Sequence, residues 1–151
     1  MLVKRAAVAD LDAVAPLFDA YRQFYYGQRS DLAAARAFLG ERLRRDESVI
    51  FFADADGGPG SEALGFTQLY PSFSSVSLRR LWILNDLFVR PGIRRGGVGR
   101  RLLERAREWA IETDAKGLTL ATAVGNAAAK ALYESCGWRR DDEFEHYVLL
   151  V

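Results

Sequence analysis

The sequence predicts an α+β fold with a mixed β-sheet flanked by helices, in the order β-α-α-β-β-β-α-β-α-β-β. Three observations carry that reading. Apolar residues recur at helical spacing in some stretches and as short strand-like runs in others. Clusters of Gly, Pro, Asp and Ser separate those stretches. Finally, 151 residues that are 50% hydrophobic and 12% aromatic supply enough core for one domain, residues 1–151.

Leu2–Ala6 is short and apolar-edged, which suits a first strand. From Asp10, a candidate N-cap, Leu11, Val14, Phe18 and Tyr21 fall at helical spacing, with Ala15 and Leu17 beside them. Pro16 removes an N–H inside this helix and predicts a kink. Tyr21–Ser30 reads as an aromatic-rich loop, and Leu32, Ala35, Leu39 and Leu43 mark a second helix from about Ser30 to Leu43. Val49–Ala53 and Ala63–Tyr70 read as a hairpin around the turn Asp54–Gly60, and Pro71–Ser77 as a further break. Leu81–Val89 is apolar except for Asn85 and Asp86, as expected of a central strand covered on both faces. A Gly-rich turn, Arg94–Gly99, precedes an amphipathic helix to about Thr113, with Val98, Leu102, Ala106, Trp109 and Ala110 on one face. Leu118–Thr122 reads as a strand and Asn126–Cys136 as a short helix ended by Gly137. Trp138–Arg140 and Glu145–Val151 read as closing strands around the acidic turn Asp141–Glu143.

Composition narrows the function. The apolar runs are far shorter than the roughly 20 residues that span a bilayer, so no membrane association is expected. Met1–Asp10 holds Lys4, Arg5 and Asp10 and no apolar stretch, so no signal peptide is expected and the cytoplasm is the expected location. The one cysteine, Cys136, excludes an internal disulfide. Together with the lone His146 it also excludes a Cys/His zinc cluster, and no metal is expected. The net charge is only +1, but between Arg90 and Arg107 seven arginines face one acid, Glu104, so that segment is +6 and the remainder −5. Such a segment suits a local anion site or a solvated helix face better than a nucleic-acid surface, and no nucleic-acid partner is expected.

Arg94–Gly99 sits between an apolar strand and a helix, where glycines let backbone N–H groups converge and the helix start adds roughly half a positive charge. A P-loop needs Lys-Ser/Thr after its last glycine, whereas Gly99 is followed by Arg100-Arg101-Leu102. The dinucleotide fingerprint begins with Gly97-Val98-Gly99 but meets Leu102 at its third glycine. A plain structural turn is a further reading. Arg94-x-x-Gly97-x-Gly99 resembles the (Gln/Arg)-x-x-Gly-x-(Gly/Ala) pyrophosphate loop of the GNAT superfamily of acyl-CoA N-acyltransferases. Upstream, Asp86-Leu87-Phe88-Val89-x-Pro91 is similar to that family's strand end. Downstream, Asn126-x-x-Ala129-x-x-Leu132-Tyr133-x-x-x-Gly137-Trp138 is similar to its later helix.

The resemblance implies a GNAT-type sheet and acetyl-CoA as co-substrate. It places the pyrophosphate on Arg94, Arg95, Gly96, Gly97, Val98, Gly99 and Arg100, and the pantetheine arm along Leu87, Phe88 and Val89, with Asn126, Ala129 and Tyr133 also beside the cofactor. An N–H near Phe88 or Val89 would polarise the thioester carbonyl. Tyr133 stands where the family places the acid for the leaving thiolate, or else packs under the cofactor site. Asp86 is either the base, directly or through water, or a buried structural carboxylate. Asn85 stands where the polyamine and thialysine acetyltransferases often carry Glu, which weakens any transfer of their substrate. Tyr21, Phe24, Tyr25 and Trp82, with Asn85 and Asp86, are candidates for the acceptor pocket, and the aromatics equally for the core. The implied reaction is acetyl transfer from acetyl-CoA to a primary amine by direct attack in a ternary complex, with a small cationic or zwitterionic acceptor. Alternatives are a protein lysine or N-terminus as acceptor, and a non-catalytic acyl-CoA sensor. A homodimer formed through the late strands is also expected.

Overall fold

The computed structural model describes residues 1–58 and 60–151. They fall into two compact units, Met1–Ala121 and Thr122–Val151. The expected turn Asp54–Gly60 includes Pro59, which lies outside the described residues.

The first unit holds β1 (Leu2–Arg5), α1 (Leu11–Tyr26), α2 (Leu32–Arg44), β2 (Val49–Asp54), β3 (Ala63–Ser74), β4 (Arg79–Val89), α3 (Val98–Glu112) and β5 (Gly117–Thr119). The strands form one sheet in sequence order, with β1 to β4 antiparallel and β5 parallel to β4. Ile50 and Phe52 of β2 join the core under α1 and α2, whereas Phe51 between them meets Trp109 of α3 at 6.0 Å. Alternate residues of a strand face opposite ways, so helices cover both faces. All six residues of β2 are buried; the strand covered on both faces is thus β2 rather than β4.

Local physics explains where the elements start and stop. The α1 helix continues through Pro16 to Tyr26 instead of breaking into a loop at Tyr21. A mid-helix proline costs about 3 kcal/mol, and burial of Val14, Leu17, Phe18 and Tyr21 along one stripe offsets it. Gly27 then ends the helix in the left-handed conformation at φ 60°. Asp19, buried in α1, accepts from Ser30 Oγ (2.6 Å) and the Asp31 amide (2.8 Å), fixing the path into α2, which Asp31 caps. β3 runs on through Pro71 to Ser74 where a break was expected. β2 pairs with β3 only as far as Leu69, so Pro71 lies beyond it and its missing N–H disrupts no ladder on that side. In α3 the buried residues Val98, Leu102, Leu103, Ala106 and Ala110 form the expected stripe.

The second unit holds α4 (Ala127–Ser135), capped by the Asn126 side chain, which accepts from the Ala129 amide at 3.2 Å. Among its described residues none is buried. The two expected closing strands carry no sheet pairing there. Phe144, Tyr147, Val148, Leu149, Leu150 and Val151 are all exposed.

Candidate active site

The site begins at an irregularity in β4. Gln68 of β3 faces Asp86 while the adjacent Leu69 faces Leu84, leaving Asn85 without a partner in the ladder. This β-bulge changes which way the strand points its side chains. Trp82 packs on Trp109 of α3 at 5.9 Å, but Phe88, six residues on, packs on Tyr21 of α1 at 6.4 Å. In a regular strand both would share one face. The extra residue therefore turns Asp86 toward α1.

There the Asp86 carboxylate is buried at 4% exposure and accepts from Gln68 Nε2 (2.6 Å), Asn85 Nδ2 (3.1 Å) and the Tyr21 hydroxyl. Burial pushes its carboxyl above the usual range, since the charged form is desolvated, while the three hydrogen bonds pull the other way. Its charge is felt nearby: Tyr70 is pushed up to about 12, first by its own burial and then by Asp86. Tyr21 is raised further by desolvation, by Asp86 and by its bond to Tyr26, so it stays a neutral hydroxyl. Gln68 Oε1 is buried with no hydrogen-bond partner among the described residues.

Aromatic rings cluster about Tyr21 and Phe88. Phe24 and Tyr25 lie 6.2 and 6.3 Å from Phe88, and Tyr21 lies 5.9 Å from Phe66. The Arg94 guanidinium stacks 4.2 Å over Phe24 and donates from Nε to the Val89 carbonyl at 3.1 Å. It thereby ties the loop to the end of β4.

Beyond Ile83, which faces Thr119, β4 has no ladder partner on its β5 side among the described residues, so the edge of Asn85–Val89 is open in that ladder. The opposite edge is tightly packed: a Cβ at Gly65 would lie 2.5 Å from the Phe88 carbonyl oxygen. After β4 come a 3₁₀ turn, Pro91–Ile93, and the glycine loop. Arg95 and Gly97 take positive φ (71° and 81°), and Gly97 caps α3 with no side-chain bond. The first amides of a helix lack intrahelical partners, and a Cβ at Gly97 would meet nothing within 4 Å. This open cradle of N–H groups beside an open strand edge fits a pyrophosphate and an amide-bearing arm.

The wider arginine cluster is less available than its +6 charge suggests. Glu108 and Glu112, just past the segment, engage Arg101 (3.0 Å) and Arg105 (2.9 Å). Arg90 is bound to the Ala63 carbonyl at 2.8 Å.

A family model of the Acetyltransferase (GNAT) family matches residues 14–138. The chain belongs to the GNAT family. As a GNAT protein it is an acetyltransferase, and acetyl-CoA is the family's co-substrate. It is 50% identical over 151 residues to an uncharacterized N-acetyltransferase, YhfO, of Bacillus subtilis (strain 168), covering all of this chain and 98% of that one. A crystal structure of a probable acetyltransferase superposes with a TM-score of 0.92 at 48% identity, covering all of this chain and 98% of the other. The GNAT fold is also shared with the structure of AAC(6')-Iy in complex with the bisubstrate analog CoA-S-monomethyl-acetylneamine. That match has a TM-score of 0.78 at 20% identity and covers 99% of this chain and 98% of that one.

In this GNAT chain the structure brings together many of the residues singled out from sequence. Tyr21, Phe24, Tyr25, Asn85, Asp86 and Phe88 cluster with Arg94 at one end of β4. Trp82 does not join them. It is buried on the opposite face, its Nε1 donating to Thr113 Oγ1 at 2.8 Å, because it precedes the bulge. Tyr133, Asn126 and Ala129 belong to the second unit, where Tyr133 stacks obliquely on Trp138 at 6.2 Å. Cys136 is half-buried at the end of α4. Sequence reasoning missed Gln68, for which a polar residue inside an otherwise apolar strand was the available signal, whereas Tyr26 was within the aromatic run read as core or pocket lip.

Among the described residues no group of three or more His, Cys, Asp or Glu could hold a metal ion, and no helix is long and apolar enough to cross a membrane.

Proposed function

We propose that this GNAT protein acetylates small cationic or zwitterionic primary amines by direct attack on acetyl-CoA within a ternary complex. The observation that carries the proposal is the buried Asp86 carboxylate. The bulge at Asn85 turns it to the α1 face, beside the aromatic cluster and the open edge of β4. Its raised carboxyl makes it a stronger proton acceptor than an ordinary aspartate, which suits a base acting on an amine.

In this reading the pyrophosphate rests on the backbone of Arg94–Gly99. Arg95 and Arg100 stand near its phosphates, and the pantetheine arm pairs with Leu87–Val89. The acceptor nitrogen attacks the thioester carbonyl: a C–N bond forms and the C–S bond breaks. Asp86 takes the proton from nitrogen, and Tyr133 gives one to the departing sulfur. The aromatic rings of Tyr21, Phe24 and Tyr25 face a cationic acceptor favourably through their π-faces. Residues 1–151 are read as one N-acetyltransferase domain, which the family match over residues 14–138 supports. The enzyme works in the cytoplasm as a homodimer, with exposed Phe144 and the apolar run Tyr147–Val151 supplying contact area.

The test is thiol release from acetyl-CoA with a panel of ethanolamine, 1,4-diaminobutane, lysine, glycine and a lysine-containing peptide. A small amine should release thiol in step with its own acetylation, detected by mass spectrometry. Release with the peptide alone would move the acceptor to protein. Saturable acetyl-CoA binding without any release would make the chain a sensor.

A further inference from the structure

A buried base that takes a proton in each turnover must also lose it. The groups facing the Asp86 carboxyl are Tyr21 from α1, Gln68 and Tyr70 from β3, and Asn85 from β4; none carries a positive charge. Three of these donate to the carboxylate. Two of the three are amides, which cannot pass a proton on without becoming imidic acids. The Tyr21 hydroxyl can, since one oxygen accepts a proton while releasing its own.

Tyr21 is itself buried at 7% exposure, but its hydroxyl lies 3.3 Å from that of Tyr26, a residue 64% exposed. The two rings meet edge to face at 5.5 Å, five residues apart at the end of α1. The Tyr21 hydroxyl thus stands between the buried carboxylate and an exposed hydroxyl to which it donates.

We infer that Tyr21 and Tyr26 form the proton exit for Asp86, with Tyr21 also positioning the carboxylate. The inference rests on the reading of Asp86 as the base. After attack, the Asp86 O–H proton passes to the Tyr21 oxygen, the Tyr21 proton to the Tyr26 oxygen, and the Tyr26 proton to water. One proton leaves, both phenols end neutral, and rotation of the hydroxyls resets the chain. The resistance of Tyr21 to ionisation fits this role, because the relay never rests as a tyrosinate.

The experiment compares wild type, Tyr21→Phe, Tyr26→Phe and Asp86→Asn. It uses acetyl-CoA and whichever amine of the panel above releases the most thiol, in weakly buffered solution with and without added imidazole. Tyr26 is exposed, so Tyr26→Phe should fold normally. A positioned proton-transfer group is worth roughly 100-fold or more, and loss of an outer relay member should cost about tenfold in kcat. Imidazole, a mobile proton carrier, should restore most of that loss, which a structural defect would not allow.

A carbon-13 NMR titration of the Asp86 carboxyl needs no substrate and adds a second readout. In Tyr21→Phe the titration should move to higher pH, because the anion loses a donor, while in Tyr26→Phe it should stay near wild type. Inactive Asp86→Asn alongside a wild-type rate in Tyr26→Phe overturns the exit alone. A wild-type rate in Asp86→Asn, or no thiol release with any amine, overturns the reading beneath it and the exit with it.

Discussion

At the scale of single residues, two buried carboxylates shift in opposite directions because only one of them has a cation beside it. Asp54 has a cation beside it: the Lys4 ammonium, 2.7 Å away, holds its carboxyl down at about 2. The folded chain binds that proton more weakly than the unfolded one, so this contribution to stability is complete above the ordinary carboxylate value and lost as pH falls toward about 2. In thermal melts at stepped acid pH, Asp54→Asn should lose part of the acid sensitivity that wild type shows over that range. Asp86 faces only neutral donors, and its carboxyl is raised. The folded chain holds this proton more tightly, so stability falls as pH rises through the folded value. Asp86→Asn should therefore melt higher than wild type at about pH 8, with the gap closing toward about pH 4. The orphaned Gln68 Oε1 can turn to accept from the new amide. A lower midpoint for the variant at every pH would show the carboxylate to be a structural anchor. Tyr133→Phe should cut turnover and leave acetyl-CoA affinity nearly intact, as steady-state rates and calorimetric titration would report.

At the scale of elements, the structure shows which signals the sequence carried. The stripe of α3 was legible because Val98, Leu102, Ala106 and Ala110 repeat at the helical period, and the loop before it because Gly96, Gly97 and Gly99 interrupt that pattern. The bulge at Asn85 was not legible. It depends on register against β3, a pairing between residues far apart in sequence, and one-strand periodicity cannot reveal it. This is why Trp82 and Asp86 looked alike from sequence and stand on opposite faces. The extension of β3 through Pro71 was hidden for the same reason, since an absent neighbour beyond Leu69 makes the proline tolerable. Gly65 holds the end of β4 by close approach. Gly65→Ala would drive a Cβ into the Phe88 carbonyl and should cost about 1–3 kcal/mol, with a raised KM for acetyl-CoA as the strand end shifts. Chemical denaturation and steady-state kinetics check both effects, and unchanged values would remove Gly65 from the account.

At the scale of the whole molecule, membership of the GNAT family and the helix-covered mixed sheet were readable from three ordered motifs, and the family match over residues 14–138 agrees with them. The fate of the C-terminal residues was not readable. Their apolar pattern predicts strands, yet Phe144–Val151 stands exposed in no sheet, so what covers it is not encoded in its own periodicity. If a second copy covers it, light scattering should find a dimer, and a chain ending at Glu143 should be monomeric; a full-length monomer would contradict the homodimer. Whether the carboxylate that the bulge turns toward α1 is the base shows in turnover against pH for wild type and Asp86→Asn, read as thiol release from acetyl-CoA with the best amine of the panel. Wild-type kcat/KM should rise with pH through a carboxyl lying above the ordinary aspartate range, and Asp86→Asn should be at least about 100-fold slower, without that rise. Turnover in Asp86→Asn equal to wild type, with the same pH profile, would contradict the account.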